Sequence, residues 1–281
     1  MRVLLIWLLL GGAVRGSDLP EKLGGEEAIR VLVAAHRGGY EHDRADCAPE
    51  NSVANVAVAI RKGYDLYESD IQRTRDGVFV IVHDETLDRE TTGEGRVCDL
   101  TLSDLKVLRK RYRDGSLSDE TVATLEDLLL AGKGRIRYKV DLKPGLAAHV
   151  DELARLLRRL GMIDSVMVRC SRREAVEMAE AFASGTPKIE LMVKVDTAEQ
   201  VREIAGKLSP ATIQINLEED ETLTPAKRDA IRTAANLGIL VETHLSSNPI
   251  QCEELVKAGV RMFHTAKPDE TLAWLREKGW R

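Results

Sequence analysis

Two carboxylates two residues apart carry the first chemical signal in this chain. In Tyr64-Asp65-Leu66-Tyr67-Glu68-Ser69-Asp70 the side chains of an extended strand alternate, so Glu68 and Asp70 leave the same face. Two anions held side by side repel and raise each other's pKa. One hard divalent cation, Ca2+ or Mg2+, removes that cost, because carboxylate oxygens are its natural ligands. Asp141 and Lys143 share a face in the same way, at the carboxyl end of Arg135–Leu142. Asp141 therefore completes a candidate three-carboxylate site, and Lys143 can meet an anionic substrate as a point charge. Arg137, Lys139, Asp141 and Lys143 form a run of alternating charges that needs partners, and Lys139 is expected to pair with Glu68 or Asp70. Ala35-His36-Arg37-Gly38-Gly39 sets an imidazole beside a guanidinium whose planar fork suits phosphate. Its glycines let backbone approach a ligand closely. In Pro49-Glu50-Asn51-Ser52, Asn51 or Ser52 reads as the cap of a following helix.

These residues need elements to position them. Strand candidates rich in aliphatic and β-branched residues are Val31–His36, Tyr64–Asp70, Val78–His83, Arg135–Leu142, Ser165–Cys170, Ile189–Val195, Thr212–Leu217, Ile239–His244 and Arg261–Thr265. Segments with helical periodicity separate most of them: Ser52–Lys62, Thr124–Leu130, Leu146–Leu160, Ala198–Leu208, Pro225–Leu237, Pro249–Lys257 and Glu270–Lys278. Such alternation implies a parallel sheet with helices outside it. Nine strands exceed an eight-stranded barrel by one. Only about seven residues join Asp70 to Val78, too few for a parallel crossover of ~10–12. They contain Asp76-Gly77, a hairpin turn signal. Val78–His83 should therefore fold back on the preceding strand, with Asp70 opposite Val82 and His83 level with the carboxylates. The expected fold is α/β, a single (β/α)8 TIM-type barrel with an extra hairpin arm after the second strand. Glu68, Asp70 and Asp141 then lie at the carboxyl ends of the strands, where barrel active sites form.

The chain has 281 residues, 43% hydrophobic and 31% charged, which is ordinary globular composition. Its formal net charge of −5 argues against a nucleic-acid binder, which carries a basic face. Four cysteines with no C-x-x-C pair indicate neither a disulfide scaffold nor a zinc ribbon. Spacing leaves the pairing of Cys47, Cys98, Cys170 and Cys252 open. Met1-Arg2, the apolar run Val3–Leu10 and small residues up to Gly16 read as a secretory signal over residues 1–16. The run is shorter than the ~20 apolar residues that a bilayer span requires. Residues 17–281 are then the mature barrel domain, secreted or periplasmic, with no stable membrane span.

His36-Arg37-Gly38, Pro49-Glu50-Asn51-Ser52, Glu68-Ser69-Asp70, Thr74-Arg75-Asp76-Gly77, His83-Asp84, Leu87-Asp88-Arg89 and Thr91-Thr92-Gly93, in this order, resemble the glycerophosphodiester phosphodiesterase family. Asp141-Leu142-Lys143 resembles that family's acidic-x-Lys strand. The likeness is dense from Ala34 to Asp104 and thin after Lys143. It implies a TIM-type barrel and metal-dependent hydrolysis of a glycerophosphodiester to glycerol 3-phosphate and an alcohol. By the resemblance, Glu68, Asp70 and Asp141 would bind one divalent cation. His36 and His83 would be the general acid–base pair, and Arg37 and Lys143 would hold the phosphate. Glu50 would lie near the metal or the glycerol hydroxyls. The substrate would be a small glycerophosphodiester or a lysolipid-type molecule. Three departures stand out. Asp141 replaces the more usual Glu, a charged stretch fills Tyr40–Ala48, and Glu242-Thr243-His244 stands where an aromatic Trp-Thr pair is usual. Two other readings are a non-catalytic phosphate- or lipid-headgroup-binding barrel and a retaining glycosidase using Glu68 and Asp70. His244 and His264 end the last two strands and are additional candidates for the pocket.

Overall fold

The computed structural model describes residues 29–39, 48–208, 210–217, 223–244 and 249–281. The expected signal segment, Cys47 and the charged residues 40–47 lie outside them. The first part of the chain runs β1 (Leu32–Ala35), α1 (Val53–Lys62), β2 (Leu66–Arg73), β3 (Phe79–Ile81), α2 (Leu102–Lys106), β4 (Arg109–Arg111), β5 (Leu117–Thr121) and α3 (Leu125–Ala131). Then follow β6 (Arg137–Leu142), α4 (Val150–Leu160), β7 (Val166–Ser171), α5 (Arg172–Ala183), β8 (Glu190–Lys194) and α6 (Ala198–Leu208). The chain closes with β9 (Thr212–Gln214), α7 (Pro225–Asn236), β10 (Leu240–His244), α8 (Pro249–Ala258), β11 (Met262–Thr265) and α9 (Pro268–Glu277).

Eight strands, β1, β2 and β6 to β11, pair in parallel, and the β1–β2 pairing closes them into a TIM barrel. β3 adds to β2 as the antiparallel hairpin arm, in the expected register: Ile71 faces Ile81, Gln72 faces Val80 and Arg73 faces Phe79. Its turn is closed by Thr74, whose hydroxyl accepts from the Val78 amide at 2.9 Å, and by Gly77 at φ 88°. That φ is disfavoured for residues with a Cβ.

The short helix α2, the strands β4 and β5, and helix α5 escape the sequence reading. Helix α5 follows directly on β7, and its start is marked by a reciprocal capping box between Ser171 and Glu174. A small second sheet, β4–β5, lies off the barrel between β3 and α3. It turns at Asp114-Gly115, with Gly115 at φ 84°. Six buried apolar residues (Val80, Val82, Leu87, Val97, Leu105 and Val122) form a separate core under this excursion.

The main core lies between sheet and helices, from Val31 on β1's approach to Leu275 in α9. The barrel interior is divided. One end is plugged by Ala34, Leu66, Met167, Met192 and Met262. The next layer toward the carboxyl ends holds Glu68, Lys139, Arg169, Gln214, Glu242 and His264, all polar. Cys98 is exposed and Cys170 buried, and both are free thiols. No helix among the described residues is long and apolar enough to cross a membrane.

Candidate active site

Glu68 and Asp70 sit on β2, and Asp141 sits beside them on β6, because parallel pairing sets Glu68 against Lys139 and Asp70 against Asp141. One oxygen from each of the three carboxylates lies within 4.8 Å of the others. Burial, followed by the charges of Asp70 and Asp141, pushes the Glu68 carboxyl well above its ordinary value. Asp141 is also raised, chiefly by burial, although Lys139 and Arg169 pull the other way. Among the described residues Asp141 Oδ1 is a buried oxygen that accepts no hydrogen bond, with Lys139 Nζ 3.8 Å from it and Arg169 Nε 3.7 Å from Oδ2. An all-oxygen set, mutually repelling and with one acceptor unused, fits a hard divalent cation.

Cations of the protein flank this set. The Lys143 Nζ lies 2.9 Å from Asp70 Oδ1, and the Arg37 Nε lies 3.7 Å from Asp70 Oδ2. Arg37 occupies a left-handed turn, φ 51°, between His36 and Gly38. That turn brings its amide to Glu68 Oε2 at 2.7 Å. A Cβ on Gly38 would meet Tyr67 Cε2 at 2.4 Å, so the close approach requires glycine here. Ser52 caps α1, accepting from the Asn55 amide. Asn51 does not cap. At φ 53° it turns inward, donating to Asp70 Oδ2 at 3.3 Å and accepting from the Ser69 hydroxyl at 3.1 Å.

Glu50 shares the Arg37 guanidinium with Asp70. It is held by Arg37 at 2.9 Å, Arg89 at 2.8 Å and Arg113 at 3.4 Å. Burial alone would raise its carboxyl, but the three guanidiniums outweigh it and hold the group below its ordinary value. Lys139 also corrects the expectation. It is fully buried and reaches across the barrel to Glu242 Oε1 at 2.9 Å rather than pairing with Glu68 or Asp70. Arg137 finds Glu190 at 2.7 Å.

The two expected histidines occupy different surroundings. His36 is largely buried, and desolvation, helped by Arg37, His244, Lys139 and His83, lowers it from 6.5 to about 2. Its ring is therefore neutral at ordinary pH. His83 is about a third exposed, and its Nδ1 lies 2.6 Å from Asp84 Oδ1. Burial works to raise Asp84, but Arg89 and the His83 ring outweigh it and hold the carboxylate far below its ordinary value. Glu90 fixes the loop: its Oε1 accepts from the amides of His83 and Asp84, both at 2.9 Å, and its Oε2 faces Lys110 at 3.4 Å. Glu90 and Lys110 form a fully buried pair that ties this loop to β4. Sequence reasoning missed the pair, and no spacing signal marks it. His244 and His264 cluster with His36. Their ring centroids lie 5.7 and 4.7 Å from that of His36.

The glycerophosphoryl diester phosphodiesterase family model matches residues 36–270. A glycerophosphodiester phosphodiesterase of Caldanaerobacter subterraneus subsp. tengcongensis is 36% identical over 123 residues, which are 43% of this chain. The chain spans about half the length of that relative, 49%. A glycerophosphoryl diester phosphodiesterase structure from Parabacteroides distasonis superposes with a TM-score of 0.76 at 21% identity, covering 95% of this chain and 93% of that one. A phosphodiesterase of Oleispira antarctica, solved in complex with the product sn-glycerol-3-phosphate, superposes with a TM-score of 0.68 at 20% identity, covering 87% and 96%. The structural likenesses carry the barrel. With the family model spanning residues 36–270, which include both histidines and all three carboxylates, the chain belongs to the glycerophosphoryl diester phosphodiesterase family.

Proposed function

We propose that this protein hydrolyses glycerophosphodiesters to glycerol 3-phosphate and an alcohol, as a metal-dependent phosphoric diester hydrolase. The observation that carries the reading is the convergence of Glu68, Asp70 and Asp141 beside Lys143 and Arg37. Acids and bases meet there at the end of a barrel where reactions occur. The product bound by the Oleispira antarctica phosphodiesterase supports the same substrate class.

Glu68, Asp70 and Asp141 would hold one Ca2+ or Mg2+. When bound, that ion supplies Lewis-acid polarisation of a phosphoryl oxygen. Lys143 and Arg37 add positive charge next to the phosphoryl oxygens, Arg37 through a planar fork. His36 takes the proton of the attacking hydroxyl, whether from water or from the glycerol 2-hydroxyl. His83 donates a proton to the leaving alkoxide. Asp84 on its Nδ1 stabilises the imidazolium and directs Nε2 outward, and Arg89 holds Asp84 in turn at 2.5 Å. Residues 1–16 would act as an export signal.

The test is turnover of glycerophosphocholine and bis(p-nitrophenyl) phosphate by purified protein with EDTA and with each cation. EDTA should abolish activity, and Ca2+ or Mg2+ should restore it. Undiminished turnover in chelator would remove the metal, and no turnover of any diester with either ion would favour a binding protein.

A further inference from the structure

Three imidazoles cluster above Glu68, and the cluster admits two chemistries. The ring centroids of His244 and His264 are 4.9 Å apart, close to the other two separations. One nitrogen each of His36 and His264 and one Glu68 oxygen lie within 4.8 Å of one another. Ring spacings of about 5 Å match a tetrahedral transition-metal site with metal–nitrogen bonds of about 2.0–2.1 Å. The other chemistry is a hydrogen bond from His264 to Glu68.

Lys139 decides between them. Its Nζ lies 3.3 Å from His264 Nδ1. An ammonium has three donors and no acceptor, so Nδ1 is the acceptor and carries no proton. The proton of the ring then sits on Nε2, the atom 3.3 Å from Glu68 Oε2. A nitrogen bearing that proton has no lone pair for a metal. A metal-bound imidazole normally shows the reverse support, with its other N–H donating to a carboxylate or carbonyl. Lys139 is itself held in place. Glu242 Oε1 accepts from it at 2.9 Å and from Gln214 Nε2 at 2.6 Å, and Gln214 Oε1 accepts from Arg169 Nε at 3.0 Å.

We propose that His264 is a positioning residue: Lys139 locks it in the Nε2–H form, and that N–H, with the Arg37 amide, holds Glu68 Oε2 so that Oε1 serves the divalent cation. The inference rests on the cation reading above. His264 and Lys139 lie outside the motifs by which the sequence resembles its family, whereas Glu68 and Arg37 lie within them.

Two measurements test it. Long-range proton–nitrogen NMR of histidine-labelled wild-type protein, with His264 assigned by H264Q, should show the Nε2–H neutral tautomer. An Nδ1–H tautomer or an imidazolium would overturn the proposal. Calorimetric Ca2+ titration should show Kd raised about 10–100-fold in H264F and kept within about threefold in H264Q, whose amide retains a donor. A folded H264F with wild-type Kd would overturn it. So would a Co2+ complex whose spectrum shows histidine ligation that H264Q abolishes. A wild type that binds neither Ca2+ nor Mg2+ would overturn the cation reading and this inference together, whereas wild-type binding with no H264F effect would sink the inference alone.

Discussion

The two walls of the barrel mouth use buried charge in opposite ways. On the β1–β2–β6 wall three carboxylates crowd together, one oxygen of Asp141 accepts no hydrogen bond among the described residues, and burial keeps Glu68 hard to ionise. On the β9–β10–β11 wall the buried carboxylate has a cation of the protein as partner, although Glu242 Oε2, like Asp141 Oδ1, accepts no hydrogen bond among the described residues. Glu242 holds Lys139 and Gln214, and Lys139 holds His264. The first wall is costly without a cation and is built to receive one. The second is largely satisfied internally and is built to keep its shape. A buried charge is thus read by whether its partner is a side chain already present or a ligand still to come.

The sharpest break in this comparison is expected from the histidines of the first wall. His36→Ala or His83→Ala should lower kcat by about 10²–10⁴-fold with an unchanged circular dichroism spectrum. Near-normal turnover in both would remove the acid–base assignment. The same chemical change on each wall should then separate binding from stability. Asp141→Asn should abolish measurable Ca2+ binding with little loss of stability. Glu242→Gln should keep Ca2+ binding but destabilise by about 3–5 kcal/mol in denaturant melts, because Lys139 loses its charged partner. Equal effects from the two variants would erase the distinction. A smaller effect is expected from Asn51→Ala, which removes the donor on Asp70 Oδ2 and places alanine at φ 53°. A weakening of Ca2+ binding of about three- to tenfold should follow, the worth of one hydrogen bond of about 1 kcal/mol.

An effect of similar size is expected from pH. His36 remains neutral in the folded protein down to about 2, while in the unfolded chain it protonates near 6.5. The unfolded state therefore binds the extra proton as pH falls below 6.5, and stability declines. Between pH 7 and pH 5 the wild type should lose about 1–2 kcal/mol relative to His36→Asn, measured by urea melts of both. Parallel pH profiles would show that His36 is not desolvated.

The barrel and the first wall were legible because their signals are local. Glu68 and Asp70 lie two apart on one strand, and the Asp76-Gly77 turn fixed the hairpin register to the residue. The same Asp-Gly signal at Asp114-Gly115 marks β4–β5, but the charges of Arg109–Arg113 hid the strand. The buried Lys110 shows that this charge is partly internal. Asn51 and Ser52 are both good caps in sequence, and only the left-handed turn decides that Ser52 caps while Asn51 braces Asp70. The arginines around Glu50 were not legible, because two of the three, Arg89 and Arg113, come from a loop and a turn far along the chain. The Lys139 pairing was misread for the same reason. Adjacent-strand register favoured Glu68, whereas the lysine stem spans the lumen to Glu242, 103 residues away.

The most direct test of the central claim is a crystal structure of the wild-type protein with Ca2+ and glycerol 3-phosphate. The account predicts one ion at about 2.3–2.6 Å from oxygens of Glu68, Asp70 and Asp141, with the phosphate against Lys143 and Arg37 and both His36 and His83 facing it. An ion bound by the three imidazoles instead, or a phosphate that leaves either histidine on the far side of the barrel, would contradict it.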